Sequence, residues 1–167
     1  MAAGTGTDKR LAADEEEDGF VADYLLYLMA VASNAASSEF HAEVRAKGIR
    51  VPEWRVLACL NDRDGQMVTQ LAKLALMEQS RMTKIIDQMA LKDLLYREGD
   101  LKDRRRVRVM LTPEGRAVAS ELVSAARFHE QRILDRLPAG SARQLKEALK
   151  EINALYEAEG AIDRDDA

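Results

Sequence analysis

Gln79, Ser80, Arg81, Thr83, Lys84 and Gln88 fall within one short polar stretch of the chain. Amides, hydroxyls and cations are the groups that hydrogen-bond base edges and phosphate oxygens. Interleaved with them, Met82, Ile85, Ile86 and Met89 recur at i, i+3, i+4 and i+7, the spacing of one face of an α-helix. A helix here would bury the Met/Ile face and hold the polar set outward.

The neighbouring segments supply a frame for such a helix. Thr69-Gln70-Leu71-Ala72-Lys73-Leu74-Ala75 reads as a shorter helix, a tight turn follows, and the polar helix begins near Glu78. Two helices joined this way, the second amphipathic and basic outward, form a helix-turn-helix layout. Leu94-Leu95-Tyr96-Arg97-Glu98 then reads as a strand, residues 99–103 as a Gly/Asp turn, and residues 104–111 as a second strand. Lys102, Arg104 and Arg106 make this turn basic. Strand parity puts Arg104, Arg106 and Arg108 on the face opposite Val107 and Val109, with Arg105 inward. An inward arginine needs a carboxylate, and Asp103 is one candidate. Thr112-Pro113-Glu114 opens a helix: a hydroxyl cap, a proline suited to the first position, and an acid near the positive end.

Trp54-Arg55-Val56-Leu57, Leu71-Ala72, Gln79-Ser80, Asp103-Arg104-Arg105 and Leu111-Thr112-Pro113-Glu114-Gly115, in that order, resemble the MarR family of transcriptional regulators over residues 51–122. The resemblance implies a mainly α fold with a small β wing, a homodimer, binding to double-stranded DNA, and repression released by a small molecule. It implies DNA contacts from Gln79, Ser80, Arg81, Thr83, Lys84, Gln88, Lys102, Arg104 and Arg106. It also implies that Arg105 pairs with Asp87 as an architectural salt bridge. Asp93 stands where the family usually has Gly, and Asp tolerates the left-handed conformation better than most residues. Leu101 stands where Pro is common in the wing.

Charge distribution agrees with a localised nucleic-acid contact. The 167-residue chain has a net charge of −4, yet residues 68–116 hold eleven Lys and Arg against seven Asp and Glu, a net +4 that leaves −8 for the rest. Hydrophobic residues make up 47% and aromatic ones 5%, which permits a core and favours helices over sheet. Cys59 is the single cysteine, so no internal disulfide can form, and a cytoplasmic setting fits. No apolar run reaches the length of a membrane span, and the first residues lack the apolar core of a signal peptide. No phosphate-cradling glycine loop, nucleophile elbow or clustered metal ligands are present, and an enzyme, a cofactor and a metal are not expected. The rival reading is a winged-helix protein-interaction module that binds no DNA.

Residues 1–18 are small and acidic and should be disordered. Residues 20–47 read as one long helix, apolar on two sides: Val21, Leu25, Leu28, Ala32 and Ala35 on one, Phe20, Tyr24, Tyr27 and Val31 on the other. A second subunit is the natural cover. Residues 52–61, 113–137 and a segment opening with Ser141-Ala142-Arg143-Gln144 as a capping box supply further helices. The expected division is a DNA-binding lobe at 51–116, with dimerisation helices at 19–50 and 117–162.

Residues 39–58 are similar to family members that control aromatic-acid breakdown, some of which sense hydroxycinnamates or their coenzyme A thioesters. The local chemistry is compatible. Tyr27 and Trp54 can wall an aromatic ligand, Arg45, Arg50 or Arg55 can hold a carboxylate or phosphate, and His41 can hydrogen-bond a phenol. Cys59 reads as a small buried residue and His129 as a hydrogen-bonded core residue.

Overall fold

The computed structural model describes residues 19–99 and 107–162, with side chains as far as residue 156. The wing tip, including Lys102, Arg104, Arg105 and Arg106, and the acidic 1–18 segment lie outside the described residues. The fold is mainly α with a small sheet. In chain order it comprises α1 (Phe20–Asp23), α2 (Leu25–Ala46), α3 (Val51–Asp62), β1 (Gln66–Met67), α4 (Val68–Leu74), α5 (Gln79–Leu91), β2 (Leu95–Gly99), β3 (Val107–Leu111), α6 (Pro113–Leu134) and α7 (Ser141–Ile162).

The first long helix departs from expectation. Tyr24 leaves helical geometry (φ −71°, ψ 113°) and splits residues 20–47 into α1 and α2, while the Phe20 and Tyr24 rings stack 4.9 Å apart across the break. At its other end α2 stops at Ala46, where Gly48 turns the chain at φ 74°. The helix expected over 113–137 ends at Leu134, and i→i+3 bonds then carry the chain through Arg136 and Leu137. Ser141 is the first residue of α7 rather than its cap.

One hydrophobic core lies under the helix-turn-helix. Val56, Leu57 and Leu60 of α3, Leu71 of α4, Met82, Ile86 and Met89 of α5, and Leu122 of α6 are fully buried. Burying a side chain of this size stabilises by about 1.5–3 kcal/mol, an upper estimate. β3 is central in a three-stranded antiparallel sheet ordered β1-β3-β2, with Leu95 opposite Leu111 and Gln66 opposite Val109. β1 was not expected: two residues are too short to show alternation.

The junction from the sheet into α6 is tightly bonded. Thr112 Oγ1 accepts from the Gly115 amide at 2.9 Å and donates to the Asp93 carbonyl at 2.6 Å. Asp93 holds φ 56°, the left-handed turn that lets α5 pass into β2.

The amino-terminal part of the chain has the opposite character. Phe20, Val21, Tyr24, Leu25, Leu26, Tyr27, Leu28 and Val31 are all exposed, as is Phe128 on α6.

Candidate functional site

Helix α5 divides as its pattern requires. Met82, Ile85, Ile86 and Met89 are buried, which turns Gln79, Ser80, Arg81, Lys84 and Gln88 outward. The Arg81 and Lys84 side chains have no partner among the described residues and are available to a ligand. Thr83 is half-buried and donates its hydroxyl to the Gln79 carbonyl at 3.0 Å. The turn before α5 is carried by Leu76, left-handed at φ 55° and almost fully exposed, with the Met77 amide reaching back to the Ala72 carbonyl at 2.9 Å.

Two outward residues are already engaged. Asp87 accepts from Arg97 of β2 at 2.8 Å. Arg105, which the resemblance pairs with Asp87, is outside the described residues. Gln88 accepts from Arg50 Nη2 at 2.5 Å. Sequence reasoning placed Arg50 with the small-molecule site and Gln88 with the DNA; the fold puts them in contact. Neither Arg97 nor this contact was foreseen, because both depend on tertiary register.

Arg50 also binds Glu53, a residue the sequence reading passed over. The Glu53 side chain is fully buried at the start of α3 and accepts from the Arg50 backbone amide and guanidinium, both at 2.8 Å, and from Lys92 Nζ at 2.9 and 3.1 Å. Burial alone pushes this carboxyl's pKa up. The hydrogen bonds from Arg50 and Lys92 outweigh burial and hold it below the ordinary carboxylate value.

A second feature is a cleft of about 460 Å³ bordered by α2, α3, α6 and α7. Phe40, His41, Trp54, Ile133, Lys146 and Leu149 are among the residues that line it. Phe40 meets Trp54 edge-on at 5.2 Å and stacks on His129 at 5.8 Å. His129 Nε2 lies 2.7 Å from the Ala36 carbonyl, so this histidine is hydrogen-bonded into the helix layer. Burial first, then the nearby Arg55 and Arg45 charges, lower the His41 pKa and favour its neutral ring.

The predicted ligand residues are therefore only partly brought together. Trp54 and His41 share the cleft, while Tyr27, Arg45, Arg50 and Arg55 are not part of its lining. Arg55 donates to the Ala75 carbonyl at 3.4 Å. The cation lining the cleft is Lys146, paired with Glu130 at 3.0 Å. Its position beside Leu145 and Leu149 was the available signal, since a cation flanked by apolar residues on one helix face looks toward a pocket rim. Cys59 is half-buried in α3, and burial, reinforced by Asp62, pushes its thiol pKa up, away from the reactive thiolate. Among the described residues, no three His, Cys, Asp or Glu side chains converge as a metal site needs.

Residues 49–107 match the model of the MarR family. The crystal structure of the MarR family transcriptional regulator SPO1453 from Silicibacter pomeroyi DSS-3 is 52% identical, spans 83% of this chain and 99% of that one, and superposes with a TM-score of 0.77. The chain belongs to the MarR family. A further relative is the homoprotocatechuate degradative operon repressor of Escherichia coli, 26% identical over 80% of this chain and 90% of its own length. The Mycobacterium tuberculosis MarR family protein Rv2887, solved in complex with salicylic acid, is 25% identical with a TM-score of 0.62, over 77% of this chain and 95% of that one. In the winged helix-turn-helix fold of this family, α4 and α5 form the helix-turn-helix and β2–β3 the wing. Among the described residues, no helix is long and apolar enough to cross a membrane.

Proposed function

We propose that this MarR protein is a repressor that binds a pseudo-palindromic operator as a homodimer and leaves it when a small aromatic acid, or its coenzyme A thioester, binds. The observation that carries the DNA reading is the outward face of α5, where Arg81 and Lys84 have no partner among the described residues and stand over a packed Met/Ile face. Gln79, Ser80, Arg81, Thr83 and Lys84 contact the major groove, and Lys102, Arg104 and Arg106 reach the minor groove or its phosphates. Asp87, which accepts from Arg97, is in this reading also the architectural partner of Arg105. The lobe is 51–116, and the flanking segments 19–50 and 117–162 form the dimer layer. The exposed apolar run from Phe20 to Val31 supports a second subunit as its cover. Two recognition helices then enter successive major grooves about 34–36 Å apart.

The effector reading is supported by the Trp54–Phe40–His41 cleft and by what two relatives act on or bind: a homoprotocatechuate operon and salicylic acid. Ligand there favours a lobe spacing unsuited to the operator. The test is a gel shift with the DNA upstream of its own gene, followed by titration of p-coumarate, ferulate and their thioesters at fixed salt. Retarded DNA released by one of these is the expected result. No retardation by the intact protein would favour the interaction-module alternative.

A further inference from the structure

The carboxylate of Glu53 has no place in either site, yet among the described residues of the lobe it is the most elaborately bonded side chain. A buried carboxylate is costly unless its oxygens are satisfied by charged donors. Glu53 takes four hydrogen bonds, three from charged donors, the Arg50 guanidinium and the Lys92 ammonium, and one from the Arg50 backbone amide. Lys92 is the C-cap of α5. Gln88, one turn earlier on α5, is held by the same Arg50 guanidinium. Two side chains from the last turn of the recognition helix thus converge on one anion and its arginine at the start of α3. The next residue, Trp54, lines the cleft.

We propose that Glu53 and Arg50 are positioning residues for operator recognition: they clamp the C-terminal turn of α5, and Gln88 serves as the tether of that clamp and not as a reader of bases. The inference rests on the DNA-binding reading. One guanidinium nitrogen, Nη2, donates to both the Glu53 carboxylate and the Gln88 amide oxygen, and a lysine side chain, one bond shorter, does not carry its nitrogen to that point. Arg50 is therefore not interchangeable with lysine here. The clamp also removes Gln88 from the set of base readers, because its carbonyl oxygen is occupied and its reach is directed toward α3.

The clamp is tested on the full chain without DNA. In Glu53→Gln and in Arg50→Lys, amide hydrogen exchange at Met89, Leu91 and Lys92 is expected to quicken by about tenfold, while Leu57 and Leu60 keep their protection. Unchanged exchange in both variants overturns the clamp whether or not the protein binds DNA, so that failure is distinct from failure of the DNA reading. The Gln88 role is tested with operator variants altered one base pair at a time. Gln88→Ala is expected to weaken binding by about three- to tenfold across the whole set and to preserve its rank order. Lost discrimination at a single base pair would make Gln88 a reader and overturn the tether.

Discussion

Gly115 approaches Leu94 so closely that a Cβ on residue 115 would lie 1.7 Å from the Leu94 carbonyl oxygen. The obstruction is backbone on both sides, so no rotamer change relieves it. The same Leu94 oxygen accepts from the Thr112 amide at 3.2 Å, which pins α6 to the start of β2. The glycine of the Leu-Thr-Pro-Glu-Gly stretch is thus required by packing. Gly115→Ala should destabilise by at least the 1–3 kcal/mol, roughly, of an overpacked core. Thermal or urea unfolding measures it, and an unaltered midpoint would contradict the geometry.

Leu76 presents the reverse case. It is an exposed leucine in the left-handed region, where an L-residue costs about 1–2 kcal/mol. Glycine relieves that cost and gives part of it back through the greater freedom of the unfolded chain. Leu76→Gly should raise stability by up to about 1 kcal/mol. A loss of stability would mean the leucine makes a contact in the assembled protein.

The pH dependence of stability should carry the signature of Glu53. Its folded pKa lies below the ordinary carboxylate value, so the folded state binds its proton less readily than the unfolded chain. The resulting stabilisation is fully present above the ordinary carboxylate value. It declines as pH falls below that value and is gone once pH has passed the folded pKa. Glu53→Gln should flatten this acid limb relative to the wild type. Parallel curves for the two proteins between neutral pH and the acid limb would refute the assignment.

Much of this was open to a reader of the chain, and the division is physical. The Met82–Ile85–Ile86–Met89 face, the Thr112 cap and the left-handed Asp93 are local features, encoded within one or two turns. Arg50–Gln88 and Lys92–Glu53 join residues far apart in sequence, Asp87–Arg97 spans the turn from α5 into β2, and nothing local distinguishes a paired arginine from a solvated one. Glu53 was hidden for the same reason: an acid in the first turn of a helix reads as a dipole partner, and only the assembled lobe shows it sealed beneath two cations. The break at Tyr24 has no glycine or proline to announce it.

Recognition itself is tested at Arg81 and Lys84. If Arg81 reads a base through both guanidinium nitrogens, Arg81→Ala should cost about 1–3 kcal/mol in operator binding and relax preference at one base pair. If Lys84 contacts phosphate, Lys84→Ala should weaken binding to all sequences alike and lower the salt slope by about one. The double variant retaining full operator affinity would remove α5 from the interface.

The cleft proposed for the effector makes a separable demand, because no α5 residue is among those lining it. Trp54 forms one wall and packs edge-on against Phe40, so Trp54→Ala should abolish release by an aromatic acid while operator binding in its absence survives within about threefold. Lys146 is the cation at the rim, and Lys146→Ala should weaken release by a free carboxylate more than release by a neutral phenol. His41 lies in the same cleft with its neutral form favoured, and can donate to or accept from a phenolic hydroxyl at neutral pH. His41→Phe should therefore discriminate against hydroxylated acids and spare the unsubstituted ring. Titrating p-coumarate, cinnamate and p-coumaroyl coenzyme A against the operator complex separates these contributions. Release by the thioester alone, unaffected by Lys146→Ala, would move the anion-binding role from the cleft to Arg45 and Arg55, whose charges already act on His41. Release by none of the three, with release by zinc or peroxide instead, would remove the aromatic reading altogether.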